Sequence, residues 1–154
     1  MKKTFTLFGL LFMCLLTFAQ NPCPQVIPAL QQWKGAKGTL TLPTQGSIVI
    51  NPQDEATLGQ TASILAEDLK ELMGWEYSIT TGKAKKNDIY LSLSQPDEQL
   101  GKEGYVLAIN NKVSIEAPTT QGVFWGTRTL LQMLYRQEAT LAKGTTRDWP
   151  EFPS

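Results

Sequence analysis

The stretch YVLAINNKVSIEA, residues 105–117, decides the fold of this chain. Large or apolar side chains occupy every second position on either side of Asn110-Asn111, a pattern typical of two antiparallel strands that bury one face; they are Tyr105, Leu107 and Ile109 before the pair and Val113, Ile115 and Ala117 after it. Asparagine tolerates the positive φ that a tight two-residue turn requires, so this pair is predicted to connect the two strands. A hairpin with one buried face needs another layer of structure to cover that face.

Two segments have the periodicity of covering helices. Apolar residues from Leu58 to Leu72 recur every three or four positions, which predicts a helix over about 54–73 that Gly74 ends. After the hairpin, a second helix is predicted over about 120–136, with apolar side chains over roughly half of its circumference.

The remaining elements are short strands. Their composition and alternation predict strands at about 39–42, 47–50, 76–81 and 88–94. The proline-rich residues 20–37 are predicted to be an extended lead-in, and the chain after Lys143-Gly144 is predicted to be irregular as far as Ser154. Together these elements indicate an α+β fold, in which a mostly antiparallel sheet has two helices packed on one face.

Residues 1–19 have the layout of a secretory signal peptide. Lys2 and Lys3 give a cationic start, the stretch to Phe18 is uncharged and mostly apolar, and Ala19 closes a small-x-small pattern. The apolar run of about 15 residues is short for a membrane span, which needs roughly 20, although an uncleaved anchor is the alternative. We therefore expect cleavage after Ala19, export to the periplasm or the extracellular space, and no membrane contact afterwards.

The composition excludes several kinds of chemistry. The chain holds 14 Lys+Arg, 14 Asp+Glu and no histidine. This balance argues against a nucleic-acid partner, which favours a basic excess. The missing histidine excludes a Ser-His-Asp or Cys-His arrangement and a histidine-ligated zinc site, and no cofactor is expected. Cys14 lies in the signal peptide, which leaves Cys23 as a free thiol or, alternatively, as a lipid-modified cysteine.

Paired carboxylates are candidates for general acid and base work. Glu67, Asp68 and Glu71 lie off the apolar stripe of the first predicted helix, and Asp97-Glu98 follows a proline in a loop. Both groups are interpreted as solvated surface, because no apolar neighbours in sequence would raise their pKa values.

The tryptophans are less easily explained. Trp75 follows the end of a helix and is predicted to cap the core, but Trp125 lies on the polar side of the second helix with Gln132 and Arg136. Trp149 lies within the last few residues, where little chain remains to bury it. Large apolar groups without a place in the domain indicate contact with a partner or, alternatively, a platform that stacks on sugars.

Several segments, in order along the chain, carry a family resemblance. They are Val26-Ile27-Pro28-Ala29-Leu30, Glu103-Gly104-Tyr105-Val106-Leu107, Gly122-Val123-Phe124-Trp125-Gly126-Thr127-Arg128-Thr129-Leu130-Leu131-Gln132 and Asp148-Trp149-Pro150-Glu151-Phe152. They resemble the N-terminal domain of the family 20 glycoside hydrolases, the β-N-acetylhexosaminidases. In that family a G-x-x-x-G-x-x-T-L-x-Q helix precedes a D-x-P-x-F-x-x-R-G segment that opens a TIM barrel.

The resemblance implies that residues 38–147 form an accessory α/β domain and that 148–154 begin the linker into a catalytic barrel. It implies a parent enzyme that removes terminal β-linked N-acetylglucosamine or N-acetylgalactosamine. In this family a glutamic acid protonates the leaving oxygen, and the acetamido group of the substrate, oriented by an aspartate, attacks the anomeric carbon. The sugar-binding arginine of the family would follow Ser154, and its Asp-Glu pair lies in the barrel, so no catalytic or metal-binding residue is assigned here.

The barrel is therefore the expected partner, and glycan is expected to bind only through it. The candidate residues for the barrel interface are Trp125, Gln132, Arg136, Asp148, Trp149 and Phe152. Three alternatives remain: the leading domain of another glycosidase, such as an α-glucuronidase or a family 84 N-acetylglucosaminidase, a free-standing secreted carbohydrate-binding module, and a truncated gene product.

Overall fold

A computed structural model describes residues 19–149 and contains one seven-stranded sheet with two helices. Almost all of the predicted signal peptide, together with residues 150–154, lies outside the described residues. The elements are β1 (Gln32–Thr41), β2 (Gln45–Ile50), α1 (Glu55–Met73), β3 (Glu76–Thr81), β4 (Ile89–Leu93), β5 (Tyr105–Ile109), β6 (Val113–Ala117), α2 (Thr120–Gln137) and β7 (Thr140–Asp148). Within this part of the chain, neither helix is long and apolar enough to cross a membrane.

The α+β class is confirmed, and the sheet is mixed. The strand order is β1-β7-β5-β6-β4-β2-β3. The pairs β1/β7, β7/β5 and β5/β6 are antiparallel, whereas β6/β4, β4/β2 and β2/β3 are parallel. The predominance of antiparallel strands therefore holds for one half of the sheet. In the other half α1 joins β2 to β3, because parallel neighbours need a crossover connection.

The central hairpin is confirmed, although its turn is not the predicted one. Leu107 pairs with Ile115, and Ile109 pairs with Val113. The connection contains three residues, 110–112, and the amide of Asn110 donates to the carbonyl oxygen of Lys112 at 3.0 Å. Outside glycine, positive φ among the described residues occurs at Asn87, Glu138 and Ala139, so the turn does not use the left-handed conformation expected of its asparagines.

Both ends of the domain contain more strand than the sequence predicts. The segment after Gly144, predicted to be irregular, belongs to β7, which pairs with β1 on one side and β5 on the other. Similarly, β1 begins at Gln32, inside the predicted lead-in, and not near residue 39. The pairing is interrupted by a register shift between Gly35 and Thr39, which obscures the alternation that a strand normally shows.

The two helices cover one face of the sheet. Buried residues of α1 include Leu58, Leu65 and Leu69, whereas Leu72, predicted to lie on the same face, is 55% exposed. Gly74, with φ of 70°, ends α1 as predicted, and its amide donates to the carbonyl oxygen of Lys70 at 3.0 Å.

Glycines let α2 approach the hairpin closely. A Cβ on Gly122 would lie 2.3 Å from the carbonyl oxygen of Gly104, and one on Gly126 would lie 2.5 Å from Cγ2 of Ile115. The helix begins after Thr119, whose side-chain oxygen accepts a hydrogen bond from the Gly122 amide at 3.0 Å. With α2 seated in this way, its outer face lies beside the end of β7 and beside residues 27–31, which we call the N-terminal segment.

Candidate functional site

A groove of about 280 Å³ lies between α2, the N-terminal segment and the end of β7. The helix contributes residues at positions 125, 128, 129 and 132, which form one stripe because they follow the i, i+3, i+4, i+7 spacing. The lining residues are Ile27, Pro28, Ala29, Gln31, Glu103, Tyr105, Trp125, Arg128, Thr129, Gln132, Asp148 and Trp149. We refer to this feature as the α2 groove.

The α2 groove brings together four of the six residues proposed for the barrel interface. Trp125, which is 44% exposed, Gln132, Asp148 and Trp149 all line it. Arg136 is exposed on the next turn of α2, beyond the lining residues. The sixth residue, Phe152, lies outside the described residues.

A chain of hydrogen bonds crosses one side of the groove. The phenolic hydroxyl of Tyr105 donates to Oδ2 of Asp148 at 2.8 Å, and it lies 2.5 Å from Oγ1 of Thr129. Because a phenol has one proton, Thr129 must be the donor in the second contact. The other carboxylate oxygen of Asp148, Oδ1, accepts from the backbone amide of Gln31 at 2.9 Å. The network therefore joins β5, α2, β7 and the N-terminal segment.

The Tyr105 hydroxyl stays protonated in this setting. Burial raises the pKa of Tyr105 above its usual value, and the negative charge of Asp148 raises it further, although the hydrogen bond with Thr129 opposes the shift. A neutral phenol that donates to a carboxylate is a strong, directional contact. This arrangement makes Tyr105 a fixed structural donor.

Gln132 holds the N-terminal segment against α2. Its Oε1 accepts from the amide of Ile27 at 2.9 Å, and its Nε2 donates to the carbonyl oxygen of the same residue at 3.0 Å. Both polar atoms of the side-chain amide are used within the domain. Residues 27–31 are therefore one wall of the groove.

Arg128 connects the groove to α1. Its Nη2 lies 2.6 Å from Oδ2 of Asp68, and the two side chains are 27% and 25% exposed. Its guanidinium carbon also lies 4.7 Å from the ring centroid of Phe124, which meets Trp125 edge to face at 5.5 Å. The interpretation of Asp68 as part of a solvated face is therefore wrong, because α2 brings a partner that lies 60 positions away in sequence.

The loop carboxylate Asp97 is also paired. Oδ2 of Asp97 lies 2.5 Å from Nη2 of Arg147, and its Oδ1 accepts from the backbone amides of Gln99 and Leu100. The hydrogen bond from Arg147 is the main reason that the pKa of Asp97 is below its usual value. The prediction that this residue only solvates a loop is wrong.

The two carboxylates that line the groove are both engaged within the domain. Asp148 uses its two oxygens as described above, and Oε1 of Glu103 lies 2.5 Å from Nε2 of Gln121. In the part of the chain that the structure describes, no three or more His, Cys, Asp or Glu side chains are grouped to hold a metal ion. The groove offers apolar contact surface, and its polar side chains Gln132 and Asp148 hold the backbone of the N-terminal segment.

The other tryptophans serve the domain itself. Trp75 is buried, as predicted, and stacks on Tyr77 with a centroid separation of 6.1 Å. Nε1 of Trp33 donates to the carbonyl oxygen of Asn21 at 3.1 Å. Trp125 and Trp149 are therefore the tryptophans that line the groove.

Three residues of the site were not predicted from the sequence, namely Tyr105, Thr129 and Gln31. The α2 stripe carried a signal for Thr129, which lies one helical turn from both Trp125 and Gln132. The alternation did not distinguish Tyr105 from Leu107 and Ile109, which lie on the same face of β5.

A family model and a curated relative match most of this chain. The family model for glycosyl hydrolase family 20, domain 2, matches residues 23–149. The lacto-N-biosidase of Bifidobacterium bifidum is 32% identical over 131 residues, which are 84% of this chain and 11% of that protein.

Solved structures show the same fold. The N-acetyl-β-hexosaminidase of Streptomyces plicatus superposes with a TM-score of 0.67 at 23% identity, over 87% of this chain and 28% of that one. The family 20 exo-β-N-acetylglucosaminidase of Vibrio harveyi gives 0.65 at 22% identity, over 82% of this chain and 19% of that one. The β-N-acetylhexosaminidase of Bacteroides fragilis gives 0.62 at 18% identity, over 82% and 25%.

The chain thus spans about a tenth to a quarter of the length of these relatives. The family resemblance expected from the helix and Asp148 segments is confirmed, since the family model covers most of the chain. The chain belongs to glycosyl hydrolase family 20 and contains domain 2 of that family.

Proposed function

We propose that this chain is the non-catalytic N-terminal domain of a secreted β-N-acetylhexosaminidase and that it supports a downstream catalytic TIM barrel. The parent enzyme would remove terminal β-linked N-acetylglucosamine or N-acetylgalactosamine by substrate-assisted hydrolysis. Membership of family 20 and the hexosaminidase relatives support this proposal, and the observation that carries the supporting role is the α2 groove.

The groove is suited to contact and not to hydrolysis. Most glycosidases place two carboxyl groups on either side of the scissile bond, and substrate-assisted enzymes still need a proton donor. The groove carboxylates, Asp148 and Glu103, are each held by hydrogen bonds to neighbours in the domain. The acid and the acetamido-orienting residue are therefore assigned to the barrel.

Apolar surface at the groove provides the driving force for contact. Trp125 leaves 44% of its surface exposed. On a tryptophan of roughly 250 Å² this is about 110 Å², and covering it would contribute about 2–3 kcal/mol. Trp149 lies beside it at the end of β7, at the point where the chain continues toward residues 150–154. A domain that follows β7 would lie next to this surface.

The test uses the protein encoded by the complete gene. Trp125→Ala and Trp149→Ala are expected to lower its melting temperature and its activity on terminal β-N-acetylglucosaminides. Tyr135→Ala is the matched control, because Tyr135 is an aromatic residue of α2 that is 70% exposed and does not line the groove. The same variants in the 154-residue chain measure how far each substitution lowers the melting temperature of the domain itself. That change is subtracted from the change in the complete protein. Unchanged stability and activity in both tryptophan variants would refute the supporting role.

A free-standing carbohydrate-binding module is the second candidate. Two partly exposed tryptophans on one groove favour it, because indole rings stack on sugars. Titration of the chain with chitin oligosaccharides, followed by tryptophan fluorescence, separates the two functions. Saturable quenching that Trp125→Ala abolishes would favour the binding module, and no change is expected for a supporting domain.

A further inference from the structure

Side-chain contacts hold the C-terminal end of β7, just before Trp149. Asp148 is the last residue of β7 and is the register partner of Tyr105 on β5. Backbone pairing ends there, and Trp149 follows without a place in a strand. The carboxylate of Asp148 binds Tyr105 and Gln31 at this point, and the preceding residue, Arg147, pairs with Asp97.

The partners of Asp148 come from distant parts of the sequence. Tyr105 is 43 positions away and Gln31 is 117 positions away. Tyr105 is 3% exposed and Thr129 is 8% exposed, so water competes little for their hydroxyl groups. One buried phenol thus links the exit of β7 to the middle of α2, which also carries Trp125.

We infer that Tyr105 is a positioning residue, which acts through Asp148 to set the direction in which the chain leaves the domain and to hold Trp149 on the α2 groove. The meaning of this direction for a barrel rests on the proposed function. The positioning itself is a property of the domain and is tested there.

The test follows individual tryptophans by ¹⁹F NMR. The processed chain is labelled with 5-fluorotryptophan, and the resonances are assigned by single Trp→Phe substitutions. Tyr105→Phe removes only the phenolic oxygen and keeps the ring that packs against Gly126. It is expected to shift or broaden the Trp149 resonance, while the Trp75 resonance stays in place.

Tyr77→Phe is the matched control. The hydroxyl of Tyr77 is also a hydrogen-bond donor from a buried tyrosine, and its acceptor is the carbonyl oxygen of Pro43 at 2.8 Å. Because Tyr77 stacks on Trp75, removal of the Tyr77 hydroxyl is expected to affect the Trp75 resonance and to leave the Trp149 resonance unchanged. Asp148→Asn is a second test variant that keeps one acceptor oxygen, and it is expected to shift Trp149 less than Asp148→Ala does.

Two results would overturn the inference. One is a Trp149 resonance that stays at its wild-type position and width in both Tyr105→Phe and Asp148→Ala. The other is an equal change of Trp149 in Tyr77→Phe, which would indicate general loosening of the domain. Neither result bears on the Trp125 and Trp149 variants in the complete protein, so the proposed function stands or fails separately.

Discussion

Gly126 lies where α2 comes closest to the sheet, and its replacement by alanine tests how that helix is seated. A Cβ at this position would lie 2.5 Å from Cγ2 of Ile115 and 3.1 Å from Cδ2 of Tyr105. Ile115 is fully buried and Tyr105 is nearly so, and buried side chains are closely packed. The added methyl group must therefore push α2 away from the hairpin.

Two opposing effects set the size of the change. Overpacking a well-packed core costs about 1–3 kcal/mol. Replacing glycine by alanine inside a helix contributes about 1 kcal/mol of stability. The difference between these two effects is a net loss in the free energy of unfolding of up to about 2 kcal/mol for Gly126→Ala.

Gly59 in α1 is the matched control. No heavy atom lies within 4 Å of a Cβ at this position, so Gly59→Ala should gain helix propensity without a clash. Its expected effect is a stabilisation of about 0.5–1 kcal/mol, opposite in sign to Gly126→Ala.

The assay is equilibrium unfolding of the processed chain in urea, followed by far-UV circular dichroism. For a domain of this size the expected loss moves the urea midpoint of Gly126→Ala down by up to about 1 M, at an unchanged slope. A Gly126→Ala variant that is stabilised as much as Gly59→Ala would refute the close seating of α2 on Ile115 and Tyr105.

Two further predictions concern the loop ion pair and the N-terminus. Because Arg147 lowers the pKa of Asp97, the pair stabilises the fold above about pH 4, the usual range of an aspartate, and this stability is lost as pH falls through the lowered pKa. Arg147→Gln is therefore expected to flatten the loss of stability between pH 5 and pH 3, measured by urea midpoints, and an unchanged pH profile would contradict the pairing. Export is expected to yield a chain that begins at Gln20, which mass spectrometry of the exported protein checks; a chain that keeps residues 1–19 would contradict the signal peptide, and one lipidated at Cys23 would contradict cleavage after Ala19.

Local periodicity was sufficient for the helices and the hairpin. The predicted helix over 54–73 is α1 at Glu55–Met73, and the one over 120–136 is α2 at Thr120–Gln137. In both helices the apolar spacing and the end signals lie within the segment itself, so no distant partner was needed to recognise them.

β7 could not be predicted in the same way. Two of its buried residues, Gly144 and Thr146, are small or polar and give no apolar signal. Gly144 faces the ring of Trp33, and a Cβ there would lie 2.3 Å from Cζ2 of that ring. Its strand conformation follows from pairing with β1 and β5, which are distant in sequence. Propensity alone gives little weight to such a segment.

The candidate site was only partly predictable, because some of its features are local in sequence and others depend on contacts between distant residues. Trp125 and Trp149 were noticeable because large apolar side chains without a local place are unusual. The hydrogen bonds of Tyr105 and Asp148 could not be predicted, since Tyr105 lies on the same buried face of β5 as Leu107 and Ile109, as an ordinary core residue does. Asp68 and Arg128 form an ion pair only because α1 and α2 lie side by side on the sheet.

The most direct test of the central claim, that this domain supports a catalytic barrel, is the sequence of the gene beyond codon 154. The account predicts Arg-Gly immediately after Ser154, followed by an open reading frame of barrel length that contains the Asp-Glu pair of family 20. A stop codon at that position would contradict the account.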